Sequence, residues 1–67
     1  MNLDEIKAAV ERGETVHFGN DAYEVVKDKL GQWLIVCRLN GYTIGLTWLD
    51  GVTMNGKPEE FYAKGAR

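Results

Sequence analysis

The sequence predicts an α+β fold: one N-terminal helix packed on a twisted antiparallel β-meander of four to five strands. Two observations carry that prediction. The first is a hydrophobic period that changes from about 3.6 over Leu3 to Val10 to about two from Thr15 onward. The second is Asn40-Gly41, a turn dipeptide set between runs of β-branched and aromatic residues that stretch from Gln32 to Leu49. With 67 residues and 45% hydrophobic content against 27% charge, the chain is expected to form a single globular domain, residues 1–67.

Each element follows from local chemistry. Asn2 caps the helix, Glu5 three residues later completes a capping-box pattern, and Asp4 and Glu5 suit the positive end of the helix dipole. Leu3, Ile6 and Val10, with Ala9 alongside, mark one face, and Gly13 is placed to end the helix in a left-handed cap. In the first strand Val16 and Phe18 face one way, with Thr15 and His17 the other. Gly19-Asn20-Asp21 reads as a turn, Ala22 to Asp28 as a second strand, and Asp28-Lys29-Leu30-Gly31 as a second turn.

A two-residue type I′ turn at Asn40-Gly41 would then set the register of the main hairpin. It places Leu39 opposite Tyr42, Cys37 opposite Ile44, Ile35 opposite Leu46 and Trp33 opposite Trp48, so that one face is wholly apolar. The helix is expected to cover that face, with Leu3, Ile6 and Val10 against Trp33, Ile35, Ile44 and Leu46 and with the two tryptophans as a cross-strand pair. Gly45, inside a strand, marks a bulge, a bend or a close approach of backbone. Asp50-Gly51 and Asn55-Gly56 flank a very short strand, and Pro58-Glu59-Glu60 has the composition of a first helical turn. Phe61 or Tyr62 is expected to dock on the core, and Ala63 to Arg67 to form a frayed tail.

Composition narrows the function classes. No apolar run approaches the roughly 20 residues needed to cross a bilayer, and Met-Asn-Leu-Asp-Glu has neither the basic region nor the cleavage site of a secretion signal. A cytoplasmic location is the expectation, and a single cysteine fits a reducing compartment. Charge is uneven: residues 1–24 hold six acids against two bases, whereas residues 25–67 hold six bases against four acids. A domain this small buries only about 60% of its unfolded surface and has no disulfide, so homodimerisation is an expected source of stability.

Chemistry-bearing constellations are sparse. One His and one Cys, twenty residues apart, cannot make a metal site without several convergent carboxylates, and no metal or cofactor is expected. Cys37 lies on the predicted core face, where a thiol is a small hydrophobe rather than a nucleophile for His17. Glu59 and Glu60 are adjacent and no glycine-rich phosphate loop is present, so the chain is not expected to be an enzyme. An acidic balance, with a pI near 5.2, argues against nucleic acid as a partner.

The residues left over point to binding. Leu34, Val36, Arg38, Thr43, Thr47 and Leu49 fall on the second face of the hairpin, which has no evident cover and reads as a partner-binding surface with Glu11 and Glu14 as a charged rim. The alternative is an oligomer that sequesters a nucleotide-like small molecule, clamped by Tyr23, Lys27 and Arg38 beside the tryptophans.

Gly41 to Tyr62, following Gln32-Trp-Leu-Ile-Val-Cys37, resembles segments of small bacteriophage- and prophage-encoded proteins, as do Glu11-Arg-Gly after a short helix and a strand opening at Thr15-Val16. The resemblance brings no catalytic residues. It implies a protein that acts by stoichiometric binding to a host protein, a class that includes inhibitors of CRISPR and other host defences. Dense acidic mimicry of DNA is not implied, because the net charge is only −2.

Overall fold

Asn2 starts the α-helix. In the computed structural model, which describes the backbone of residues 1–66 and the side chains of residues 1–64, α1 (Leu3–Glu11) opens on a full capping box. The Asn2 side chain accepts from the Glu5 amide at 2.8 Å, and the Glu5 carboxylate accepts from the Asn2 amide at 2.9 Å. Gly13 takes φ +87° just past the helix, the left-handed position that an L side chain adopts only under strain. Ile6 and Ala9 are fully buried, and Leu3 and Val10 pack beside them, so the predicted stripe is the one that faces the core.

The strands are β1 (Glu14–Phe18), β2 (Asn20–Lys27), β3 (Trp33–Cys37), β4 (Thr43–Gly45) and β5 (Phe61–Ala66), with a single 3-10 turn at Pro58–Glu60 ahead of β5. Among the described residues they form one antiparallel sheet in the order β4-β3-β2-β1-β5. The first four make the expected meander, and β5 returns to pair with β1 at the far edge. The sheet is not closed: β4 and β5 are its two edges. The second turn is built as expected, with the Asp28 side chain accepting from Leu30 and Gln32 amides at 2.9 and 2.8 Å and its carbonyl accepting from Gly31. The first is tighter than expected. Strand pairing resumes at Asn20 rather than Ala22, across an irregularity between His17 and Phe18.

The main hairpin differs from its predicted register by two residues. Asn40 does not take the positive φ that a type I′ turn needs, and only Gly41 does, at +74°. Residues 38–41 instead make a longer loop, closed by Gly41 N–H donating to the Cys37 carbonyl at 2.8 Å and Cys37 N–H to the Tyr42 carbonyl at 2.7 Å. Val36 is therefore opposite Thr43, Ile35 opposite Ile44 and Leu34 opposite Gly45. A slip of two, unlike a slip of one, keeps every side chain on its face. Ile35, Cys37 and Leu46 accordingly remain buried, whereas Leu39 and Tyr42 leave the predicted apolar face for an exposed loop. The expected Trp33–Trp48 pair is not formed. Leu46 donates to the Trp33 carbonyl in its place, and Trp48 falls beyond the end of the strand.

The core gathers Ile6, Ala9, Val16, Val25, Ile35, Leu46 and Phe61 on one side of the sheet. The short Arg12-Gly13 link holds α1 chiefly over β1 and its neighbours β2 and β5, not centred on the β3-β4 hairpin as expected. Trp33 closes the hairpin side of the core, with the Lys7 and Lys27 ammonium groups 5.7 and 5.5 Å from its ring. Phe61 docks as expected at 3% exposure, and its ring lies 4.8 Å from that of Phe18. The segment after it is no frayed tail: Phe61, Tyr62 and Ala63 pair with Phe18, His17 and Val16, and Ala66 with Glu14. Arg67 lies outside the described residues.

Candidate functional site

The face opposite α1 carries a row of side chains that crosses all five strands. Tyr62, His17, Glu24, Val36 and Thr43 are successive cross-strand partners, and Val26, Leu34 and Gly45 make a second row beside it. Cross-strand partners share a face, so period-two alternation in each strand assembles the surface without any loop. Val26, Leu34 and Val36 are half-buried but lie apart from the core cluster.

The charges on this face are paired within it. Arg38 forks onto Glu24, with Nε to Oε2 at 3.2 Å and a terminal nitrogen to Oε1 at 3.0 Å. Lys64 Nζ lies 2.7 Å from Asp21 Oδ2, and the Tyr62 hydroxyl donates to Asp21 Oδ1 at 2.5 Å. Those two donors, Lys64 first, hold the Asp21 carboxyl below its ordinary range, and the Asp21 carboxylate in turn pushes the Tyr62 hydroxyl up. His17, only 8% exposed, lies with its ring 5.4 Å from that of Tyr62 and its Nδ1 3.0 Å from the Tyr23 carbonyl. The result is a surface of apolar patches and neutralised ion pairs, with Arg38 and Lys64 already engaged by carboxylates.

The structure brings together four of the six residues expected at a partner surface. Leu34, Val36, Arg38 and Thr43 share the open face; Thr47 and Leu49 do not join them. Thr47 bridges to Met54 across a small loop hairpin, and Leu49 is fully exposed at its tip. Glu11 and Glu14 lie instead beside Val10, Val25 and Lys27, lining an open hollow of about 400 Å³ next to the end of α1. The alternative ligand clamp is split by the sheet. Tyr23 packs on the core edge-on to Phe18 and Lys27 reaches Trp33, both on the α1 side, whereas Arg38 is bound to Glu24 on the other.

Cys37 is 4% exposed and belongs, with Tyr23 opposite it, to the α1 side, so the sheet separates its thiol from His17. Among the described residues no three of His, Cys, Asp and Glu converge as metal ligands, and no helix is long and apolar enough to cross a membrane. Sequence reasoning missed Glu24, Asp21, Tyr62 and Lys64 as parts of the face. The alternation of β1 and β2 could have shown Glu24 beside His17, but the pairing of β5 with β1 has no local signal. Compared with known proteins, the chain matches no family model, no curated protein and no solved structure.

Proposed function

We propose that this protein is a non-enzymatic binding protein that docks on a partner protein through the open face of its sheet and blocks it stoichiometrically. One observation carries the reading: α1 and the core occupy one side of an open sheet, and the other side presents Leu34, Val36 and Val26 among ion pairs that are already satisfied. An apolar centre with neutralised polar neighbours is the anatomy of a protein interface. Phosphate recognition needs free cations, which a face with Arg38 and Lys64 engaged offers poorly. A bacterial host protein, such as a component of a defence system, is the partner class that belongs to this proposal.

Val36→Lys tests it. The new ammonium would stand opposite Glu24 and Thr43, so the sheet should tolerate it. Thr43→Lys repeats the test at an exposed position. Partner binding measured by calorimetry should weaken about tenfold or more in both variants while circular dichroism stays native. Unchanged binding in two folded variants would remove the face from consideration.

A further inference from the structure

Three junctions in this chain set an Asn or Asp side chain beside a glycine nitrogen: Asn40-Gly41, Asp50-Gly51 and Asn55-Gly56. A glycine amide can close a five-membered ring on the preceding side-chain carbonyl carbon, because no Cβ obstructs its approach. The attack needs a glycine nitrogen able to give up its proton. A hydrogen bond from that N–H to a carbonyl retains the proton and holds the nitrogen out of the ring-closing geometry.

Two of the junctions are held in this way. Gly41 N–H donates to the Cys37 carbonyl at 2.8 Å, and Asn40 Oδ1 accepts from the Tyr42 amide at 2.9 Å. Gly51 N–H donates to the Trp48 carbonyl at 3.0 Å, and both Asp50 carboxylate oxygens accept from Val52 or Thr53. A carboxylate anion is also a poor electrophile. Gly56 is different: among the described residues its N–H has no hydrogen-bond acceptor. Asn55 beside it is exposed. Its N–H donates to the Leu46 carbonyl and its Nδ2 to the Gly45 carbonyl, each at 2.9 Å, so the side chain clamps the small hairpin of residues 46–55 to the end of β4.

We propose that Asn55 is a self-modification site, at which the Gly56 nitrogen attacks Asn55 Cγ and the chain deamidates. The new N–Cγ bond replaces Cγ–Nδ2, and Nδ2 leaves as ammonia. Water then opens the succinimide. Cleavage at Cγ restores the original backbone with an aspartate, whereas cleavage at the backbone carbonyl carbon leaves an isoaspartate whose main chain runs through Cγ. One water is consumed and one ammonia released, so solvent is the only co-reactant. Either product removes the clamp: the Nδ2 donor is gone, and a carboxylate oxygen in its place repels the Gly45 carbonyl. The small hairpin therefore loosens from β4 as the protein ages, whatever the sheet face binds.

Incubation at mildly alkaline pH in heavy-oxygen water, with the protein folded and in urea, tests this when the peptides are read by mass spectrometry. In urea, Asn40 and Asn55 should take up label at the same rate, since both precede glycine. In the folded protein Asn55 should react about tenfold faster than Asn40, the rate equivalent of one hydrogen bond. Asn55→Gln, whose longer side chain closes a ring far less readily, should abolish label in that peptide. Asn55→Asp, the product made in advance, should lose hydrogen-exchange protection at Trp48 and at position 55 while β2 and β3 keep theirs. Equal rates in the folded protein, or a faster Asn40, would overturn the assignment, as would an unlabelled Asn55 after the unfolded chain has reacted fully. Unchanged protection in Asn55→Asp would overturn the clamp.

Discussion

Gly56 shows how a single residue can be held in place by packing rather than by its own backbone. A Cβ there would run into the Phe18 ring, which is itself confined by Phe61 and Tyr23. Gly56→Ala should therefore destabilise the fold by about 1–3 kcal/mol, as overpacking does, read as a lower midpoint in urea. Titration supplies a second test. Asp21 and Asp50 have lowered pKa values, so the stability they contribute is present above the unfolded carboxyl value of about 4 and lost as pH falls through their folded values. Tyr62 is raised, so its contribution holds below its unfolded value of about 10 and is lost as pH climbs through the folded one. Thermal unfolding should weaken at both extremes. Asp21→Asn should blunt the acid and alkaline limbs together, whereas Asp50→Asn should blunt only the acid limb.

Among the elements, α1 and the loop hairpin are written locally and β5 is not. Asn2, Glu5, the Leu3-Ile6-Val10 stripe and Gly13 predicted α1 almost to the residue, because caps and periodicity act within a few positions. The same holds for the Asp28 turn. Gly41 was legible as a turn residue, yet the length of its loop was not, because Asn40 can take either sign of φ and the observed register, with Leu46 buried and its N–H on the Trp33 carbonyl, is a long-range choice. Phe61→Ala should remove the anchor of β5 at a cost of about 3–5 kcal/mol, enough to unfold much of a marginal domain. Asp50→Ala should act on the small hairpin alone. Hydrogen exchange would show lost protection at Val52 and Thr53, with β2 and β3 unaffected.

On the scale of the whole molecule, the decisive feature is an open sheet with its helix on one side. Had it curled into a barrel, Leu34 and Val36 would be core; with β4 and β5 as edges they are surface. Light scattering of the wild type and Val36→Lys tells whether that surface meets a foreign protein or a second copy. A monomer in both cases is expected if the face serves a different partner, and a dimer dissolved by the substitution would assign the face to self-association.

Local signals alone specify the α+β class, α1 with its caps, the Asp28 turn and which side of each central strand is apolar, since alternation survives even a two-residue error of register. They also place Leu34, Val36, Arg38 and Thr43 on one face. Only the tertiary structure decided that Tyr62, His17 and Glu24 continue that face, that Tyr23 and Lys27 lie across the sheet from Arg38, and that Trp48 stands outside the core. The reason is range. Caps, turns and periodicity are set by neighbours a few residues apart, whereas the union of β5 with β1 joins positions 43 to 52 residues distant, and it is selected by the burial of Phe61 against Phe18 rather than by any local preference.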